Sequence, residues 1–128
     1  MNYYFCENRD SLHKLPDTIL KKYGTYCVEL TSETHRPVIK IGWSANIKQR
    51  VASLHTQPKG RRCREIRGII LTRKTETDLH SIFDHKRLCR KDGKVLRASF
   101  AIREHFGCFS GSTEVFDITV TELLGVLV

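Results

Sequence analysis

Four side chains stand at positions where packing alone has little use for them. Tyr26 closes the run Gly24-Thr25-Tyr26, Lys40 sits inside Val38-Ile39-Lys40-Ile41-Gly42-Trp43-Ser44, and Arg50 opens Arg-x-x-x-Leu54-His55. Glu76 heads Glu76-Thr77-Asp78-Leu79-His80-Ser81-Ile82-Phe83. A phenol, an ammonium, a guanidinium and a carboxylate in that order suit the cleavage of a phosphodiester. Each also has a plainer reading. A tyrosine entering a strand usually packs at the core or rim, a lysine between two isoleucines can guard an edge strand, an arginine can flank an amphipathic helix, and a glutamate in a first helical turn meets the helix dipole favourably.

The elements that must position these groups are legible from periodicity. Thr25 to Leu30 alternates as a strand, residues 31–37 read as a polar turn, and Val38 to Trp43 forms a second strand, so the two make an antiparallel hairpin. A period of two puts Tyr26, Val28 and Leu30 on one face, with Val38, Lys40 and Gly42 on one face of the next strand. Tyr26 and Lys40 then point the same way. Ser44 or Asn46 caps a helix running to about Thr56, whose Ile47, Val51 and Leu54 recur at i, i+4 and i+7 with Arg50 at the border. Gln57-Pro58-Lys59-Gly60 breaks that helix. A third strand is expected from Cys63 to about Leu71, and a second helix from about Thr75 to Lys86 carries Glu76, Leu79, His80 and Phe83 on one face. A carboxylate therefore sits on a face meant for burial. Towards the amino end a short helix is expected from Asp17 to Tyr23. Residues 88–113 read as an irregular basic stretch with a short helix near 99–106, followed by a strand at 114–119 and a closing apolar segment at 121–128.

At 128 residues the chain holds one core. It divides into an extension at 1–23 and a domain at 24–128. No stretch is apolar for the roughly 18 residues a membrane span requires, and the first residues lack the pattern of a signal peptide. Five irregularly spaced cysteines do not form a disulfide framework, so a reducing cytoplasm is the expected setting and a membrane is not an expected partner. The net charge of +8 is concentrated. Residues 36–103 carry eighteen Lys/Arg against five Asp/Glu, whereas residues 104–128 carry no Lys/Arg and four Asp/Glu. Such a band attracts a phosphate backbone through counterion release without reading base sequence. A solvated lysine-rich face is the plainer explanation, but arginine outnumbers lysine in the band, which favours phosphate contact. Lys48, Lys59, Arg61, Arg62, Arg64, Lys91 and Lys94 are the candidate nucleic-acid contacts.

From Gly24 to Asp117 the chain resembles the GIY-YIG endonuclease superfamily, most closely its phage-type branch of small open-reading-frame domains. Gly24-Thr25-Tyr26 looks like the first motif with its middle Ile replaced, and Lys40-Ile41-Gly42 looks like the second with Lys for Tyr. Arg50 falls eight residues after Gly42, as the family's arginine does, and Glu76 with Leu79, His80 and Phe83 matches the helix bearing its metal-binding glutamate. Glu114-Val115-Phe116 resembles the branch's closing Glu-Trp-Phe.

The resemblance implies an α/β (α+β) fold, with a small three-stranded mixed or antiparallel sheet flanked by helices, and a divalent metal. It also implies hydrolysis of phosphodiester bonds in DNA, with RNA left open. On that pattern Glu76 would hold one Mg²⁺ or Mn²⁺ and Arg50 would stabilise charge on the phosphate. Tyr26 or Lys40 would orient and deprotonate the attacking water, with Tyr26 preferred as the base and Lys40 as electrostatic support. His55 could reach a phosphate from its helix end, and His80, one turn beyond Glu76, reads equally as a group that orients the carboxylate or a water and as a buried histidine satisfied by one hydrogen bond. His85-x-x-x-Cys89 and His105-x-x-Cys108 match no standard zinc fingerprint. Two further readings stand beside the nuclease: a catalytically silent nucleic-acid-binding module of the same fold, and a zinc-stabilised interaction domain. Oligomeric state and sequence specificity are not encoded in any recognisable motif.

Overall fold

The computed structural model of the chain describes residues 2–5, 24–55, 65–88, 106 and 114–127. Among them the order of elements is β1 (Asn2–Phe5), β2 (Gly24–Thr31), β3 (Val38–Ser44), α1 (Ile47–His55), β4 (Glu65–Thr72), α2 (Glu76–Ile82), a 3₁₀ turn (Asp84–Lys86), β5 (Val115–Phe116) and α3 (Val120–Leu127). The strands form one sheet in the order β1-β4-β2-β3-β5, with every described pairing antiparallel. The α+β class and the three expected strands are therefore present, with β2 at the centre. The sheet is wider than expected, because β1 pairs with β4 from Asn2 opposite Leu71 to Phe5 opposite Gly68, and β5 adds a two-residue edge.

Strict alternation gives the sheet two buried faces. On one, Tyr26, Val28, Leu30, Val38, Ile66, Ile69 and Val115 cluster with Ile47, Val51 and Leu54 of α1. On the other, Cys27, Ile39, Ile41, Ile70 and Phe116 cluster with Leu79 and Phe83 at α2 and with Ile118 and Leu123 around α3. Each of the three apolar residues of α1 is almost fully buried and contributes about 1.5–3 kcal/mol through removal from water. The expected stripe thus holds α1 against the face that carries Tyr26 and Lys40. Asn46 is the cap: its Oδ1 accepts from the Gln49 backbone N–H at 3.1 Å.

Between β2 and β4 the register shifts at Glu29/Leu30, where Glu29 faces Gly68 and Leu30 faces Ile66. Arg67 is the residue left over, as in a bulge. Its guanidinium donates to the nearly buried Glu29 carboxylate twice, Nε to Oε1 at 2.7 Å and Nη2 to Oε2 at 3.0 Å, which supplies the partners a buried charge requires.

The second helix is shorter than its pattern. Thr75 caps it, with Oγ1 accepting from Asp78 N–H at 3.1 Å, but Phe83 leaves the helical region at φ −102° and ψ 12°. Asp84–Lys86 then tightens into a 3₁₀ turn, with Lys86 N–H bonded to Phe83 C=O. That turn delivers the chain alongside β5, where Leu88 N–H meets Val115 C=O and Asp117 N–H meets Lys86 C=O. The closing apolar segment is a helix opened by a reciprocal capping box: Glu122 N–H donates to Thr119 Oγ1 and Thr119 N–H donates to Glu122 Oε1. The helix expected at 17–23 and all but one residue of that expected near 99–106 lie outside the described residues. Phe106 is helical and buried against His35, with ring centroids 5.6 Å apart.

Candidate active site

The hairpin register sets Tyr26 opposite Gly42 and Val28 opposite Lys40, so the phenol and the ammonium emerge from the same face. Only a glycine fits opposite this tyrosine. A Cβ built on Gly42 would lie 2.7 Å from Tyr26 Oη, 2.9 Å from Cζ and 3.0 Å from Lys40 Nζ. The ring lies across the bare backbone of Gly42, and its oxygen reaches the two cations. Lys40 Nζ donates to it at 3.4 Å and Arg50 Nε at 3.3 Å. Arg50 arrives from α1, one residue before Val51, whose burial fixes the helix rotation.

Lys40 is fully buried, which removes the edge-strand reading of this residue: β5 pairs at Lys40, opposite Val115. A buried ammonium needs a counter-charge. Glu114 supplies it, Nζ to Oε2 at 2.8 Å. Glu114 immediately precedes β5, so the two-residue strand that covers Lys40 also delivers its carboxylate.

On its outer side β3 is paired with β5 only at Ile39 and Lys40. Next along that edge the Ile41 carbonyl accepts from Nε2–H of His80 at 2.8 Å. This bond puts the proton of a neutral His80 ring on Nε2 and the lone pair on Nδ1. His80 is buried beside Phe116, with ring centroids 5.3 Å apart. Glu76, one turn earlier on α2, places Oε1 at 3.6 Å from His80 Nε2.

Glu76, His80 and Glu114 thereby converge, with one ligand atom from each lying within 4.8 Å of the others. The Glu76 and Glu114 carboxyls are therefore neighbours. Two carboxylates in contact require a proton or a cation between them. Burial alone pushes the Glu114 carboxyl up, but the hydrogen bond and charge of Lys40 lead the effects that outweigh it and hold Glu114 below its ordinary value. Two carboxylates with an imidazole beside them form a group that could hold a metal ion.

The structure thus brings together Tyr26, Lys40 and Arg50, and beside them Glu76 and His80. Glu114 joins both groups and was not among the residues assigned a role from sequence. Its signal was the Glu-Val-Phe run, but nothing in the chain before it says that a carboxylate 74 residues from Lys40 meets it. Lys48 is partly exposed on α1. The His55 side chain and Lys59, Arg61, Arg62, Arg64, Lys91 and Lys94 lie outside the described residues, as do Cys89, His105 and Cys108 of the zinc spacing. Among the described residues no helix is long and apolar enough to cross a membrane.

A family model for the T5orf172 domain matches residues 24–127. Neither a curated protein nor a solved structure matches the chain.

Proposed function

The chain belongs to the T5orf172 domain family, and from that premise we propose that it is a GIY-YIG-type, metal-dependent endonuclease that hydrolyses phosphodiester bonds in DNA. The observation that carries this reading is the convergence of Glu76, His80 and Glu114 on one point beside the Tyr26–Lys40–Arg50 cluster. Without a divalent ion the charges of Lys40 and Arg50 offset those of Glu76 and Glu114. With the ion bound, the site carries net positive charge towards a phosphate.

Glu76 and Glu114 would hold the ion, Mg²⁺ or Mn²⁺, with His80, its Nε2–H given to the Ile41 carbonyl, set beside the carboxylates. Bound there, it would polarise the phosphate and a water. Arg50 faces the phosphate oxygens and stabilises the charge that accumulates on them in the transition state. Tyr26 acts as the tyrosinate, its own proton released to solvent beforehand, and takes the proton of the attacking water to become the neutral phenol. Two cationic groups already donate to its oxygen, so the negative charge it carries after giving up its own proton is met by Lys40 and Arg50. Lys40 also pins Glu114 and so couples the proton-transfer side of the site to the metal side. The basic band at 36–103 supplies sequence-independent attraction to the backbone.

The test is cleavage of supercoiled plasmid and of single-stranded DNA with Mg²⁺, Mn²⁺ or EDTA, comparing wild type with Glu76→Ala and Arg50→Ala. Metal-dependent nicking that is lost in both variants supports the nuclease. DNA binding without cutting in any metal replaces it with the silent binding module of the same fold.

A further inference from the structure

Beyond its role as a wall of the hairpin, β3 carries a large apolar side chain that the core does not use. Ile39 and Ile41 are almost fully buried under α2 and α3, whereas Trp43, two residues further along the same face, is 54% exposed. Across the hairpin it faces Thr25. It forms one wall of a groove of about 510 Å³, a size typical of small-ligand sites, whose other lining residues include Thr72, Arg73, Thr75 and Glu76. An indole plane, an exposed guanidinium, threonine side chains and the candidate metal ligand therefore share one open cleft.

We infer that Trp43 is a stacking platform for an unpaired nucleobase beside the proposed reaction site at Glu76, so that the preferred substrate is nucleic acid with a single-stranded or extrahelical nucleotide. The inference rests on the function proposed above and adds its substrate class. An indole is a large flat surface with one donor, matched to the π-face of any base and indifferent to its sequence. In an intact duplex both faces of a base are covered by its neighbours, so a side chain in this position engages only a base that has left the stack. Arg73 stands in the same groove to receive a flanking phosphate, and the threonines add short polar contacts that position without specifying.

Trp43 is the chain's only tryptophan, so its fluorescence reports the contact directly. Wild-type protein in EDTA is titrated with a single-stranded oligonucleotide, with its perfect duplex and with the same duplex carrying a one-nucleotide bulge. Affinities of Trp43→Ala and Trp43→Phe are measured by anisotropy of end-labelled strands. Emission is expected to be quenched by the single strand and the bulged duplex and little affected by the perfect duplex. Trp43→Ala should weaken binding of the first two about 5- to 100-fold, the range of a lost base stack, and Trp43→Phe should restore most of it. Equal quenching by all three ligands, or an equal loss for all three in Trp43→Ala, overturns the inference. Plasmid nicking assayed in parallel separates the two readings. Nicking with no Trp43 effect removes only the stacking platform, while quenching without nicking removes only the nuclease.

Discussion

Replacing Gly42 with alanine would set a methyl group 2.7 Å from the Tyr26 hydroxyl, against the 3.4 Å at which ordinary contact begins. The neighbours of the new methyl are Tyr26 Oη and Cζ and Lys40 Nζ, all inside a buried cluster, so the phenol must retreat by about 0.7 Å to restore contact distance. Its bonds to Arg50 at 3.3 Å and Lys40 at 3.4 Å are already long, and a retreat of that size breaks them. Overpacking of this kind costs about 1–3 kcal/mol, or roughly 3–6 °C of Tm per kcal/mol in a chain of this size. Displacement of a proton-accepting group by most of an ångström costs on the order of 10- to 100-fold in rate. The assay is single-turnover cleavage of a labelled DNA at saturating Mn²⁺, with thermal melting alongside. A rate within about threefold of wild type, at an unchanged melting temperature, would refute the claim that Gly42 exists to let the Tyr26 oxygen reach its two cations.

Glu114→Gln should destabilise the fold by about 2–3 kcal/mol, because it strands the buried Lys40 ammonium. The double variant Lys40→Met/Glu114→Gln should recover part of that loss in urea unfolding, and an additive penalty would show that the pair is not coupled. The Asp117 carboxyl is held below its usual value chiefly by the hydrogen bond from Arg36, against the opposing effect of burial. Its contribution is therefore complete above the unfolded value of about 3.9 and is lost as pH falls further through the folded value. Asp117→Asn should flatten the pH dependence of urea midpoints below about pH 4 and leave its shape near neutrality intact. Burial pushes the Cys27 thiol up to about 12, so peptide mass spectrometry after alkylation at pH 8 should find Cys27 unmodified until denaturant is added. Labelling of Cys27 in the folded protein would contradict its place in the core.

Much of this architecture could be read from local pattern, because period-two and period-3.6 burial leave their mark on neighbouring residues. Val28, Leu30, Val38, Ile47, Val51 and Leu54 announced the hairpin and the first helix in this way, and Tyr26 and Lys40 came out on a common face. The missing parts depend on contacts distant in sequence. Asn2–Phe5 has too few residues to show a period and becomes a strand by pairing with Gly68–Leu71. Glu114 becomes a site residue only because β5 lies against β3 at Lys40. The shortening of α2 follows from where the chain must turn to run beside β5. One miss was local: Thr119-Val120-Thr121-Glu122 spells a capping box ahead of an apolar run, a signal for helix α3 that was present in the chain.

The placement of Glu114 also sets an order of events during synthesis. Tyr26, Lys40, Arg50 and Glu76 are all made before Glu114, the counter-charge for Lys40. Until Glu114 and β5 arrive, the face of the hairpin that carries Lys40 cannot close without stranding an ammonium. The acidic partner that completes the site also permits the last edge of the sheet to dock, so a nascent or truncated chain ending before it has the basic surface of the finished protein without its assembled chemistry. Pairing of the buried Lys40 and completion of the sheet edge are thereby tied to the same late carboxylate.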